Sequence, residues 1–178
     1  MDLQIRFLDA DTKSPQLNQM VEDLDKLAFA DEDPNDPILK GIEWSSSDWM
    51  GLAMLGDQLV AQLGILKREI LVGDQSITVA GVGGVATHPD WQKRGFASQL
   101  LQAAQIFMCD ALKVPFGLLV CGEETEHFYA NCGWKRVAQA LHYHQNGQLR
   151  MLPSIVMILP LSDQVWPEGE IDLCGLPW

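Results

Sequence analysis

The chain has 178 residues, of which 47% are hydrophobic, and its 24 acidic and 12 basic side chains give a formal net charge of -12 at pH 7. This length predicts one domain over residues 1–178, and this hydrophobic content excludes a disordered chain. The negative charge disfavours binding to nucleic acid, whose phosphates it would repel, and favours a small polycationic substrate. An acidic balance that serves solubility alone is the alternative.

Hydrophobic spacing predicts the elements of the N-terminal half. Leu3, Ile5 and Phe7 alternate as in a strand. Ser14-Pro15 is typical of an N-cap followed by proline at the first helical position, so a helix is predicted over 15–29. The next segment, 30–48, is acidic and irregular. Turns at Gly56-Asp57 and Gly73-Asp74 then separate three predicted strands, Trp49–Leu55, Leu59–Leu71 and Ile77–Thr87.

The same patterns predict the elements of the C-terminal half. The helices cover 97–112 and Glu123–Cys132, and the strands cover Pro115–Cys121, Trp134–His144 and Leu149–Leu159. Gly133 ends the second helix, and the turn Asn146-Gly147 joins the last two strands. The tail, Leu161–Trp178, is predicted to be mostly extended or coil. This order predicts the α+β class, with a central, mostly antiparallel mixed sheet flanked by helices.

Membrane insertion and a disulfide framework are both disfavoured. No apolar run reaches the roughly 20 residues that span a bilayer, and the N-terminal residues have no signal-peptide layout. The four cysteines, at positions 109, 121, 132 and 174, contain no C-x-x-C pair. We therefore expect free thiols in a cytoplasmic protein that has no membrane contact.

The chemistry is expected around residues 79–97. Val79–Thr87 is typical of a buried strand, and glycines within it, Gly83-Gly84, often mark a bulge. The loop Gln92–Ala97 then leads into a helix, whose N-terminal N–H groups and dipole favour an anion such as a pyrophosphate. Gly95 allows the backbone to approach the phosphates, while the basic residues before it add positive charge.

The pattern Gln92-x-x-Gly95-x-Ala97 resembles the acetyl-coenzyme A loop of the GCN5-related N-acetyltransferases, the GNAT superfamily. The resemblance implies the GNAT (acyl-CoA N-acyltransferase) fold and acetyl-CoA as the cofactor, held where strands 77–87 and 115–121 splay apart. Backbone N–H groups near the bulge would polarise the thioester carbonyl. The expected cofactor-binding residues are Val85, Ala86, Thr87, Gln92, Lys93, Arg94, Gly95, Phe96, Ala97 and Ser98.

A second stretch, His127–Trp134, resembles the motif in which a helical tyrosine of this superfamily faces the cofactor sulfur. Tyr129 is therefore the expected acid for the leaving thiolate, since a tyrosine of pKa near 10 can protonate it. The alternative is that Tyr129 and Phe128 only pack within the helix.

Two further groups of residues have side chains that can form sites. Cys121 would lie near the cofactor gap, but a small core residue is the favoured interpretation. His142 and His144 share one face of a strand, but without a third ligand no metal site is expected.

From about Ile65 to Trp134 the sequence resembles the aminoglycoside 2′-N-acetyltransferases, which also end in tryptophan. This resemblance implies an aminoglycoside acceptor, whose acetylation on an amino group confers resistance to the antibiotic. It also implies that the acidic segment, residues 30–48, lies over the acceptor. A kasugamycin-like acceptor and a homodimer are both compatible with the sequence. The expected acceptor-binding residues are Glu32, Asp33, Asp36, Gly83, Glu123, Asp172 and Trp178.

Two departures from these enzymes leave the base open. Gly83 stands where they commonly carry a glutamate, and Leu176-Pro177 replaces an acidic ending. The α-carboxylate of Trp178, with an unperturbed pKa of about 3.3–3.7, is the expected group that holds the substrate ammonium or orders a water near it. Asp172 is the alternative carboxylate.

Two other functions remain open. One is a GNAT enzyme for another amine, such as a polyamine, an amino acid or a protein N-terminus. The other is a non-catalytic sensor of acyl-CoA. The acidic segment and Trp178 favour an aminoglycoside acceptor, Tyr129 favours an enzyme over a sensor, and Gly83 in place of glutamate is the best support for the sensor.

Overall fold

Helices cover both faces of a curled sheet in a computed structural model of the protein, which describes residues 2–30, 33, 36, 37 and 39–178. Within these residues the helices are α1 (Pro15–Ala28), α2 (Phe96–Ile106) and α3 (Glu123–Asn131). The strands are β1 (Leu3–Asp9), β2 (Trp49–Leu55), β3 (Gln58–Val72), β4 (Gln75–Thr87), β5 (Phe116–Cys121), β6 (Lys135–Val137), β7 (Leu141–Gln145), β8 (Gln148–Met151), β9 (Ile155–Pro160) and β10 (Ile171–Asp172). No helix in the described ranges is long and apolar enough to cross a bilayer.

The predicted elements are confirmed as far as α3, with ends that differ by one or two residues, except that the predicted helix 97–112 is divided into α2 and a turn of π-helix. The hydroxyl of Ser14 accepts a hydrogen bond from the N–H of Leu17 (3.2 Å), so it caps α1 as expected. A turn of π-helix, Phe107–Ala111, continues α2. The ammonium of Lys67 donates to the carbonyl of Leu112 (2.9 Å) and so satisfies a group at the end of this helix.

The sheet is mixed and mostly antiparallel, as predicted. Its strands follow the order β6-β9-β5-β4-β3-β10-β7-β8, and β2 and then β1 extend it from the first half of β3. Among the strands of the described residues, only β4–β5 and β10–β7 are parallel neighbours. The pairing of β4 with β5 ends at Gly81 and Leu118, although both strands continue beyond these residues. The splayed pair that the resemblance implied is therefore present.

A bulge in β4 confirms the prediction made from its two adjacent glycines. The register with β3 shifts so that Leu63 alone lies opposite Gly84 and Val85. The φ angle of Gly84 is +56°, which lies in the left-handed region that favours glycine. β4 therefore loses its regular pairing with β3 at Gly84 and Val85, just after its pairing with β5 ends at Gly81.

The two faces of the sheet bury different elements because side chains alternate along each strand. Ala53 and Ala80 pack in the core that contains the buried face of α2. Their neighbours point the other way, Leu52 towards α1 and Val79 towards the C-terminal tail. As a result, α1 and the tail lie on the face opposite α2.

The prediction of two long C-terminal strands is wrong, because each is divided in two. Residues 138–140 separate β6 from β7, and residues 152–154, which include Pro153, separate β8 from β9. Proline has no N–H for a ladder, which explains the second break. The two parts of each strand pair at distant places: β6 and β9 pair together beside β5, whereas β7 and β8 pair beyond β10. The tail is mostly irregular, as predicted, except for the short strand β10.

Candidate active site

The candidate site lies where β4 and β5 separate. Beyond Gly81, β4 has no further pairing with β5, and the bulge at Gly84 and Val85 also interrupts its pairing with β3. Within a sheet this is the place where backbone polar groups can take an external partner. Of the predicted donors to a thioester carbonyl, Val85 lies in the bulge, whereas Ala86 and Thr87 pair with β3 again and lack a partner strand only on the side of β5.

The cofactor loop, residues 92–98, joins a 3₁₀ turn to the start of α2. Two of its residues have left-handed backbones, Lys93 with φ +60° and Gly95 with φ +80°. The N–H groups of residues 93–98 find no acceptor in the described part of the chain, and no side chain caps α2. Consecutive unpaired N–H groups at a helix N-terminus form a cradle for an anion.

The side chains of this loop leave the cradle open. The guanidinium of Arg94 lies over the ring of Trp91 (4.7 Å to its centroid), and that ring packs against Phe96 at 5.9 Å. A Cβ added to Gly95 would meet only the amide of Gln99, at 4.0 Å. Space, backbone donors and the exposed Lys93 together fit the pyrophosphate of a CoA cofactor.

Tyr129, the expected acid, lies on α3 near the end of β5. Its ring packs against Phe128 (5.1 Å between centroids) and Trp134 (6.4 Å), so this side chain also contributes to packing. Burial raises the pKa of Tyr129 well above its usual value, and the nearby Cys121 and Cys132 add to this effect. The phenol therefore keeps its proton at neutral pH, and none of the described residues hydrogen-bonds to it.

Neither Cys121, as a nucleophile, nor the pair His142 and His144, as metal ligands, has the environment that this chemistry requires. The sulfur of Cys121 lies 3.7 Å from that of Met157, and burial raises the pKa of this thiol, which disfavours the reactive thiolate. His144 Nε2 lies 3.0 Å from Asp172 Oδ2, and His142 Nδ1 lies 3.7 Å from the carboxylate of Glu170. Among the described residues, no three His, Cys, Asp or Glu side chains are grouped to hold a metal ion.

The tail brings Trp178 into the gap between the strands. Its Nε1 donates to the carbonyl of Leu118 (3.3 Å), the last residue of β5 that pairs with β4. A Cβ on Gly81 would overlap the indole, and a Cβ on Gly83 would lie 2.8 Å from the main-chain carbonyl carbon of Trp178. Trp178 therefore occupies the space in front of β4 that these two glycines leave empty.

The other expected acceptor-binding residues are less closely joined. Glu32 lies outside the described residues. Asp36 accepts a hydrogen bond from the N–H of Leu39 (3.2 Å) in the segment between α1 and β2, where Asp33 is exposed. Glu123 is exposed at the start of α3.

Asp172 is held by its own neighbours. Its Oδ2 contacts His144, and its Oδ1 accepts the N–H of Cys174 (2.8 Å). Burial alone would raise the pKa of Asp172, but these hydrogen bonds outweigh it and hold the pKa below the usual value. Both oxygens are thus engaged, which makes Asp172 the weaker candidate for a substrate ammonium.

Sequence reasoning missed the residues that fasten the acidic segment and the tail to the sheet. Buried Gln145 on β7 accepts a hydrogen bond from the N–H of Glu43 (3.0 Å) and donates to the carbonyl of Gly41 (2.8 Å). Ser45 and Arg68 bind the tail in a similar way. The one available signal was the alternation that places Gln145 on the same face of the strand as Leu141 and Tyr143, because buried polar groups need partners.

The chain is similar to known proteins in both sequence and structure. The model of the acetyltransferase (GNAT) domain family matches residues 12–137. No curated protein sequence matches the chain. Similar solved structures include ElaA of Escherichia coli, with 19% identity, a TM-score of 0.65 and coverage of 89% of this chain and 99% of that one.

Two further structures are similar over most of their length. An acyl-CoA N-acyltransferase from Pseudomonas aeruginosa has 17% identity and a TM-score of 0.59, with coverage of 89% of this chain and 99% of that one. A GNAT family acetyltransferase from Brucella melitensis, solved in complex with acetyl-CoA, has 13% identity and a TM-score of 0.60, with 94% of each chain covered. At these identities the likeness shows the fold alone.

Proposed function

The chain belongs to the GNAT family of acetyl-CoA-dependent N-acetyltransferases, and we propose that its acceptor is an aminoglycoside antibiotic, acetylated on a 2′-amino group and thereby inactivated. The cofactor supplies an acetyl group on a thioester and leaves as a thiol. The acceptor supplies the amine, which must lose a proton to become an amide. The residues of this chain have to hold both partners and to manage that proton.

The cofactor would be held at three places. The N–H cradle of residues 93–98 and the ammonium of Lys93 would hold the pyrophosphate. The interrupted stretch at Gly84 and Val85 would orient the thioester carbonyl. Tyr129, protonated at neutral pH, would hold a proton close to the departing sulfur.

The position of Trp178 is the observation that carries the proposal. Its main-chain carbonyl lies against Gly83. In the aminoglycoside 2′-N-acetyltransferases that this chain resembles, a glutamate commonly stands at the position of Gly83. In a chain that ends at Trp178, this carbonyl belongs to an α-carboxylate. No Lys, Arg or His of the described residues forms an ion pair with it. An unpaired anion beside the gap suits the ammonium group of an acceptor.

Overall charge supports a polycationic acceptor. The net charge of -12 creates a field that raises the local concentration of small cations. The six carboxylates between residues 30 and 48 lie in the segment between α1 and β2. Tail and segment are joined directly, since the N–H of Ser45 donates to the carbonyl of Pro177 (2.7 Å). Both would therefore contact one acceptor.

The test is release of free thiol from acetyl-CoA in the presence of candidate acceptors. Kanamycin B and kanamycin A form a matched pair, because they differ in having an amino or a hydroxyl group at the 2′ position. Release with kanamycin B alone supports the proposal. Release with kasugamycin indicates another aminoglycoside, release with spermidine alone indicates a polyamine enzyme, and no release with any acceptor favours the sensor.

Tyr129→Phe is expected to lower kcat by about 10²-fold, the usual size of a lost general acid, with little change in either KM. The ring and its packing against Trp134 remain, so only the phenolic proton is lost. Steady-state kinetics at saturating acetyl-CoA measure the effect. Cys132→Ser, a neighbouring change that keeps the phenol, serves as the control. Full kcat in the Phe variant, with chemistry rate-limiting, would leave Tyr129 only its packing role.

Replacing Glu32 by Gln and Asp36 by Asn together is expected to raise the KM for kanamycin B about fivefold, which corresponds to two charge pairs with the acceptor of about 0.5 kcal/mol each. The KM for acetyl-CoA should stay unchanged, and the difference should shrink at high salt. The control pair, Glu22→Gln with Asp57→Asn, removes the same charge at exposed positions in α1 and the β2–β3 turn. Equal acceptor KM values in both pairs would identify the acidic segment as a solvated surface.

A further inference from the structure

Arg68 joins three parts of the chain: the strand β3, on which it lies, the C-terminal tail and the acidic segment. Its Nη1 donates to the carbonyls of Leu176 (2.6 Å) and Leu173 (3.3 Å), and its Nη2 donates to the hydroxyl of Ser45 (2.8 Å). Its guanidinium also lies over the ring of Trp178, with 5.2 Å from Cζ to the centroid. One half-buried side chain thus holds two points of the tail, the terminal ring and the acidic segment.

Ser45 completes the same network from the other side. Its hydroxyl donates to the carbonyl of Leu176 (3.1 Å), and its N–H donates to the carbonyl of Pro177 (2.7 Å). The main chain of Leu176 and Pro177, directly before Trp178, is therefore fixed by hydrogen bonds that do not depend on the side chains of these two residues. A network of this kind sets a position more sharply than packing alone, because each donor has a defined direction.

The bonds of Arg68 go to neutral groups. Its donors face two carbonyls and one hydroxyl, and it forms no ion pair with a carboxylate of the described residues. A guanidinium placed this way anchors the tail without neutralising an anion at its end. In a chain that ends at Trp178, its carboxylate would be left for a substrate ammonium.

We propose that Arg68 is a positioning residue for acetyl transfer: it holds Trp178 in the gap between β4 and β5 and fixes the acidic segment beside it. This inference rests on the proposed role of Trp178 in the acceptor site. Arg68 would touch neither acetyl-CoA nor the acceptor. Its effect on the reaction would be transmitted through the tail.

Hydrogen exchange tests the structural part without any acceptor. Arg68→Met keeps a long side chain on β3 but removes every donor. Exchange in peptides from residues 161–178 is expected to rise in this variant, while exchange in α2 stays as in the wild type. Arg6→Met, a change at an exposed arginine of β1, is the matched control and should alter neither region. Unchanged protection of the tail in Arg68→Met would overturn the proposal.

Kinetics with acetyl-CoA and kanamycin B test the functional part. Arg68→Met is expected to lower kcat/KM for kanamycin B by about tenfold or more, as a misplaced catalytic group does, with the Kd of acetyl-CoA unchanged. Arg68→Lys should recover only part of the loss, because an ammonium can reach one carbonyl but cannot bridge to Ser45. Loss of cofactor affinity in parallel with kcat/KM would overturn a positioning role and indicate general damage.

A double-mutant cycle separates this inference from the function on which it rests. The second change is removal of Trp178. If Arg68 acts through Trp178, Arg68→Met has a much smaller effect on kcat/KM in the shortened chain than in the full chain, because only its bond to Ser45 in the acidic segment is then left to lose. Additive effects would overturn the role of Arg68 and leave that of Trp178 intact. A shortened chain with wild-type kcat/KM would instead overturn the role of Trp178, and with it the functional part of this inference.

Discussion

Replacing Gly95 by Asp is expected to abolish the binding of acetyl-CoA while the protein remains folded. Gly95 has φ +80° at the start of α2, and a Cβ there would meet only the amide of Gln99, at 4.0 Å, so a side chain fits without displacing the backbone. The carboxylate would occupy the anion cradle and repel the pyrophosphate. The backbone strain of about 1–2 kcal/mol is small beside a typical stability of about 5–15 kcal/mol.

Isothermal titration calorimetry measures this effect, and we expect the Kd to rise by about 100-fold or more, since loss of charge-assisted contacts to a phosphate and a new repulsion act together. Gly147→Asp is the matched control. Gly147 also has a left-handed backbone (φ +73°) and open space around it, but it lies in the turn between β7 and β8. That variant has the same strain and the same new charge, and it should bind acetyl-CoA normally.

Gly95→Ala divides the expected effect into its parts. It introduces the strain and a small side chain without the charge, so its loss of affinity should be clearly smaller than that of the Asp variant. Unchanged binding of acetyl-CoA by a folded Gly95→Asp protein would mean that the cofactor does not use the start of α2.

The parts of the structure that the sequence predicts correctly are those determined by neighbouring residues. The bulge follows from two adjacent glycines inside a strand, and the cap of α1 follows from Ser14 before Pro15. The loop before α2 follows from a glycine at a helix start. In each case the residues that cause the structure lie within a few positions of each other, so an amino-acid pattern is sufficient.

The parts that the sequence could not provide depend on contacts between distant residues. Arg68 meets the tail more than 100 positions away, and nothing in the pattern around it distinguishes it from a surface arginine. The strand β10 has two residues, too few for any periodicity. The division of the two C-terminal strands likewise reflects which partners each half finds in the sheet, apart from the break at Pro153.

The place of Trp178 shows how the two kinds of information combine. Family resemblance indicated that the tail reaches the site, but not why this chain can accommodate a tryptophan there. The reason is that Gly81 and Gly83 are two residues apart and therefore face the same side of β4, where both lack a side chain. A Cβ at position 83 would lie 2.8 Å from the main-chain carbonyl carbon of Trp178, so the place that Trp178 takes in this chain requires glycine at position 83.

Adding four residues, Gly-Ser-Gly-Ser, after Trp178 of the 178-residue chain is expected to lower kcat/KM for the acceptor by about 10- to 100-fold, the usual worth of a hydrogen bond to a charged group. Every side chain is retained, but the α-carboxylate becomes a neutral amide and the charge moves away from Gly83. The added chain would also have to pass β4, which lies close to the Trp178 carbonyl. The Kd of acetyl-CoA, measured by calorimetry, should stay unchanged, since the cradle at residues 93–98 is not altered.

Trp178→Phe is the control that separates the carboxylate from the indole. It keeps the end of the chain in place and removes the hydrogen bond from Nε1 to Leu118, so its kcat/KM should fall much less than that of the extended chain. Because the main-chain bonds from Ser45 and Arg68 hold the preceding residues, the carboxylate of this variant should remain beside Gly83. An extended enzyme with wild-type kcat/KM would exclude the carboxylate from the acceptor site. A Phe variant as weak as the extended chain would assign the role to the indole instead.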